Sequence, residues 1–171
     1  GRNGITFCKM KHFLIGLGII ILVFFFLSLD FSKPEKFTYG VSFSRFHADE
    51  LKLDWKKTYL EILNDLQVKN FRFSAHWPLT EPEDGKYNFE EMDFQMNEAR
   101  KAGSSVILAV GRRLPGWPEC HEPDWAKNLS KDEKQEKILR YIKTVMERYK
   151  NYDNLKYWQV ENEVFLSFFS K

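Results

Sequence analysis

Strand-like runs recur along this chain at a near-constant interval, and that interval constrains the fold more than any other feature. They start near residues 37, 71 and 105, each 34 from the last, with a fourth near 155. Residues 37–44 and 71–77 are rich in aromatic and β-branched side chains. Ser105 to Gly111 is a continuous apolar run, as expected of a strand buried on both faces. The fourth strand is read from Leu155 to Glu163. Helical spacing fills the intervals. Residues 54–68 carry apolar side chains at 55, 59, 62, 63 and 66, and residues 88–102 place Met92, Met96 and Ala99 on one face behind Asn88 as N-cap. Gly103 stops that helix, and Ser130-Lys-Asp-Glu133 is a capping box that opens a helix to about Lys150.

Helix-to-strand links are short, at 69–70, 103–104 and about 151–154. Strand-to-helix links are long, at about 45–53, 78–87 and 112–129. Strands joined through helices run parallel. Long loops confined to the C-terminal ends of the strands suit a barrel whose site lies on that face. A (β/α)8 barrel of ~250 residues takes ~31 per unit. The fold class is therefore α/β: about four βα units, the N-terminal half of a TIM (β/α)8 barrel, preceded by one N-terminal hydrophobic helix. A doubly wound open sheet is the alternative, but the first strand-to-helix link has no glycine cluster for a dinucleotide.

Residues 13–29 carry no charge. As a helix they would span ~26 Å, slightly short of a ~30 Å hydrocarbon core. Arg2, Lys9 and Lys11 precede the run, so the positive-inside rule places residues 1–12 in the cytoplasm and the body outside. No small-residue cleavage site follows, which favours an uncleaved transmembrane signal anchor at 13–29 over a cleaved signal peptide and secretion. Residues 30–36 read as a linker and 37–171 as the barrel domain. Met10 would make a natural initiator, which would place Cys8 upstream of the protein.

The net charge is +2, and the three cations before residue 30 leave the rest at −1. A body so close to neutral lacks the basic footprint of a nucleic-acid partner. Two cysteines, Cys8 and Cys120, cannot build a disulfide scaffold or a four-cysteine zinc site. Cys120 and His121 adjoin, but no second ligand pair stands at metal spacing, so neither a metal nor a cofactor is expected. Asn128-Leu-Ser130 matches a glycosylation sequon by pattern only.

Two stretches carry a family resemblance. One is Trp77-Pro-Leu-Thr-Glu-Pro-Glu-Asp-Gly-Lys-Tyr-Asn-Phe89, and the other is Trp158-Gln-Val-Glu-Asn-Glu163. Together they resemble the clan A glycoside hydrolases, retaining glycosidases on (β/α)8 barrels, and most closely the family 42 β-galactosidases and related cellulase-like families. The resemblance spans about residues 37–166. It implies an oligo- or polysaccharide substrate, Glu163 as general acid/base, and Asn162 as the ligand of the sugar 2-hydroxyl. It also implies Arg72 as the partner of the nucleophile carboxylate. That nucleophile would be a glutamate at the end of strand seven, outside this sequence. His76, Trp77 and Trp117 fall at strand ends or in loops where such enzymes bind sugar.

Glycoside cleavage needs one carboxylic acid to protonate the leaving oxygen and a second carboxylate to attack or to activate water. Aromatic surroundings such as Trp158 can raise the acid's pKa. Glu161, two residues before Glu163, reads as a helper or a surface charge. Arg72 in an apolar strand requires a partner, either within the domain or in the site. Glu81-Pro82 and Gly85 read as loop-shaping, and Arg112 and Arg113 as solvated loop charges. The second class of function is a non-catalytic, membrane-anchored carbohydrate-binding or surface protein on an incomplete barrel.

Overall fold

The structure is a computed structural model that describes residues 2–28, 37–116 and 120–164, with no side-chain detail at 2–11, 13 and 14. It divides into two compact units, Gly1–Phe37 and Thr38–Lys171.

The first unit is one helix, α1 (Arg2–Ser28). Its described apolar side chains run from Ile15 to Leu27 and are exposed, Phe24 by 75% and Leu27 by 80%. Among the described residues no helix is long and apolar enough to cross a membrane. Residues 15–27 span only ~20 Å as a helix, short of the ~30 Å hydrocarbon core. The expected transmembrane span at 13–29 is therefore not found among the described residues. The side chains of Phe13 and Leu14, all of Leu29, and the linker 30–36 lie outside them.

The second unit is a four-stranded, fully parallel sheet in the order β1-β2-β3-β4. The strands are β1 (Val41–Ser42), β2 (Asn70–His76), β3 (Ser105–Gly111) and β4 (Leu155–Val160). Helices α2 (Arg45–Glu50), α3 (Trp55–Asn64), α4 (Trp77–Thr80), α5 (Glu90–Lys101) and α6 (Lys131–Tyr149) join them. Sequential strand order with helical crossovers is the architecture of half a (β/α)8 barrel.

Several boundaries differ from expectation. β1 was expected over 37–44 but pairs at only two residues, because it has a partner on one side alone; Phe37 and Tyr39 stay 75% and 84% exposed. β4 stops at Val160 rather than Glu163, since Glu161 and Glu163 take positive φ (60° and 50°), which no strand accommodates. Asn88 lies one residue outside the N-cap position, which Phe89 occupies; its Oδ1 still accepts from the Glu90 amide at 3.0 Å. The capping box is present as expected, with Ser130 and Glu133 bonding reciprocally. The loop at 45–53 contains the short helix α2, and α4 overlaps the start of the loop at 78–87; neither carries an apolar periodicity to announce it.

The helix-facing side of the sheet is the core. Phe71, Phe73, Val106, Leu108 and Val110 pack against Tyr59, Met96, Tyr141, Val145 and Tyr149, all buried. The buried tyrosine hydroxyls have acceptors: Tyr59 donates to the Gln95 carbonyl at 2.7 Å and Tyr141 to the Ala75 carbonyl. That satisfies the polar end of each ring. Strand alternation and register put Ser42, Arg72 and Tyr157 in one row of the opposite face, with Ser74, Ala109 and Gln159 in the next.

Candidate active site

Of the expected site residues, Asn162 and Glu163 lie directly past the end of β4. The Asn162 amide donates to the Arg113 carbonyl at 2.8 Å, so the segment after β4 continues along the loop after β3. The Asn162 side-chain oxygen accepts from Gln159 Nε2 at 3.0 Å. Gln159 Oε1 in turn accepts from Arg72 Nη1 at 3.5 Å, and Arg72 Nε donates to Ser42 Oγ at 2.9 Å. A polar line thus crosses the sheet from β1 to the end of β4, and it joins Arg72 to Asn162 through Gln159. Sequence reasoning passed over Gln159. Strand alternation sets residues three apart on opposite faces, and Gln159 meets Asn162 only because the chain turns out of the strand at Glu161 (φ 60°), so no local signal marked it.

Arg72 makes no ion pair among the described residues. A guanidinium on the concave face, held only by neutral acceptors, can still take a carboxylate. Glu163 itself is exposed, with its backbone carbonyl held by Arg113 Nη1 at 3.1 Å.

The aromatic candidates fare differently. Trp77 was expected to offer a sugar platform, but it has no exposed surface. It stacks on Tyr141 at 5.7 Å and meets Trp125 edge-on at 5.5 Å. Its indole N–H donates to Glu81 Oε2 at 2.7 Å. It is a core residue, because α4 begins at Trp77 and turns the ring back under the sheet end. His76 is also buried, edge-on to Phe46 at 4.5 Å and to His121 at 4.8 Å. Its Nδ1 has no hydrogen-bond partner among the described residues. Burial first, then the neighbouring His121, His47 and Arg45, lower its pKa to about 3. Trp117 lies outside the described residues. His121, stacked on Phe46 at 4.8 Å, belongs to this cluster and had been considered only as a metal ligand.

Glu81 is fully buried and shapes its loop: it accepts from Trp77 Nε1, from the Gly85 amide at 2.8 Å and from Arg140. Arg112 pairs with Glu122 at 3.1 Å. A cleft of about 380 Å³ beside the β4 end is lined by Arg112, Arg113, Lys134, Glu161 and Asn162. That volume falls in the ~300–1,000 Å³ range of small-ligand pockets. Among the described residues no three His, Cys, Asp or Glu side chains are grouped to hold a metal.

A half barrel of parallel βα units with a polar concave face and an Asn-Glu pair past its fourth strand defines the clan A type of glycoside hydrolase domain. The chain belongs to glycosyl hydrolase family 10, whose profile matches residues 34–168. Among curated proteins it is similar to the β-galactosidase Pbg of Clostridium perfringens, 32% identical over 104 residues that cover 51% of this chain and 15% of that one. Among solved structures it is similar to a β-glucosidase from Exiguobacterium marinum at 27% identity and a TM-score of 0.50, covering 64% of this chain and 24% of that one. A GH5_18 protein of Bifidobacterium longum shares the fold at 17% identity and a TM-score of 0.57, covering 76% of this chain and 34% of that one. The chain spans about 15% of the length of the curated relatives it matches. The β-galactosidase among them accords with the motif likeness to family 42, while the family itself is family 10.

Proposed function

We propose that this chain supplies the acid/base half of a retaining glycosidase acting on an oligo- or polysaccharide. The observation that carries the reading is the placement of Asn162-Glu163 directly past β4, joined through Gln159 to Arg72 on the concave face. In that reading Glu163 protonates the departing glycosidic oxygen and later deprotonates water. Asn162 meets the sugar 2-hydroxyl. Arg72 orients the nucleophile, a glutamate contributed by the seventh strand of the complete barrel. The two carboxyl groups of a retaining site stand ~5–5.5 Å apart. The β-galactosidase and β-glucosidase relatives support a β-linked substrate.

The same reading places the domain outside the cell, as the cations that precede the apolar stretch 13–29 support.

Product stereochemistry tests the proposal. The full-length protein is incubated with β-linked oligosaccharides and the anomeric proton is followed by NMR from the first minutes. The β-anomer is expected first, with later mutarotation. First release of the α-anomer would exclude a retaining mechanism. Binding of the same sugars without cleavage would favour the non-catalytic carbohydrate-binding protein.

A further inference from the structure

The side chain of Glu161 stands out because, among the described residues, both of its hydrogen bonds go to the backbone of the neighbouring loop. Its Oε1 accepts from the Arg112 amide at 2.8 Å and its Oε2 from the Arg113 amide at 2.6 Å. Its own amide donates to the Val110 carbonyl at 2.9 Å. Two successive peptide N–H groups aimed at one carboxylate make charge-assisted bonds, roughly twice as strong as neutral ones. The carboxylate reaches them by lying against Gly111, where an added Cβ would fall 2.5 Å from Oε1. Gly111 also has φ 141°, so this position suits glycine twice over.

The bonds flanking Glu161 extend the clamp toward Glu163. The Asn162 amide bonds the Arg113 carbonyl, and Arg113 Nη1 bonds the Glu163 carbonyl. Glu161 and Glu163 both sit at positive φ, 60° and 50°. For side chains other than glycine that conformation costs ~1–2 kcal/mol each and persists only where surrounding contacts hold it. The surrounding contacts here are the Glu161 carboxylate and the loop it binds.

We infer that Glu161 is a positioning residue: its carboxylate locks the loop after β3 to the end of β4 and thereby fixes the backbone from which Glu163 projects. The inference rests on the proposed role of Glu163 as proton donor. Glutamine in place of Glu161 keeps the size but offers one carbonyl oxygen where two amides need acceptors. Its NH2 faces one amide N–H donor to donor.

The test uses the full-length protein and its Glu161→Gln variant on two β-glycosides, one with an unactivated sugar leaving group and one with dinitrophenolate. Losing a well-placed general acid costs ~100- to 10,000-fold, and misplacing it should cost ~10- to 100-fold in kcat on the unactivated glycoside. The dinitrophenyl glycoside, which needs no proton, should lose less than about threefold in its glycosylation step. Arg113→Ala, which removes the guanidinium bond to the Glu163 carbonyl, is the second variant and should move the same ratio by a smaller factor. Hydrogen exchange should show the Arg112 and Arg113 amides protected in the wild type and exposed in Glu161→Gln. Equal losses on both glycosides, or unchanged protection of the two amides, would overturn the inference. A wild type inactive on every glycoside would count instead against the proposed function, and amide exchange would then decide whether the clamp exists.

Discussion

At the scale of single residues, Glu81 and Glu161 show two carboxylates whose chemistry is consumed by structure, beside a third, Glu163, that is left exposed. Glu81 is surrounded by three donors, and its replacement by alanine strands the Trp77 indole N–H in the interior. A loss of roughly 3 kcal/mol is expected, at the low end for breaking a buried pair because Arg140 stays partly hydrated. Urea unfolding of the full-length variant checks it, and a change under ~1 kcal/mol would contradict the network. His76 makes a pH prediction. Its folded pKa, near 3, lies below the ordinary 6.5, so only the unfolded chain takes up a proton between those values. Stability is fully present above pH ~6.5 and is lost as pH falls, by up to ~1.4 kcal/mol per unit. His121, also lowered by burial and by His47, adds in the same direction. Unfolding midpoints between pH 7.5 and 5.5 should fall, and the slope should flatten in His76→Phe; an unaltered slope there would contradict the assignment.

At the scale of elements, what the sequence made legible was whatever local chemistry decides. β3 was read to the residue because an unbroken apolar run between Gly103 and Gly111 leaves no other register. The α6 start was read because Ser130 and Glu133 satisfy each other's backbone donors. Ser130→Ala removes that reciprocity and should cost ~1 kcal/mol, measured as a shift in thermal midpoint without loss of activity. What stayed hidden depends on contacts across the sheet. Trp77 reads as a strand-end aromatic in sequence, yet Tyr141 and Trp125, far along the chain, decide that it is core. Glu161 reads as a helper or a surface charge until the loop after β3 brings two amides onto it. The short extent of β1 follows from one-sided pairing, which no local signal carries.

At the scale of the whole molecule, the sheet buries one face under helices and shows Tyr157 (69% exposed) and Val160 (50%) at its β4 edge. Parallel sheets occur almost only with both faces covered, and unpaired edges recruit further strands. Residues 1–171 on their own are therefore expected to self-associate, as seen by sedimentation velocity. A monodisperse monomer with a cooperative unfolding transition would contradict that. The account as a whole turns on the proposed role of Glu163, and azide rescue of Glu163→Ala in the full-length protein tests it most directly. Without the acid/base, a dinitrophenyl glycoside should still glycosylate the nucleophile, and the trapped intermediate should wait for a base that no longer exists. Azide needs none, so the rate should rise with azide concentration and the product should be a β-glycosyl azide. An activity equal to wild type on natural glycosides, or no azide adduct at any concentration, would show that Glu163 is not the proton donor.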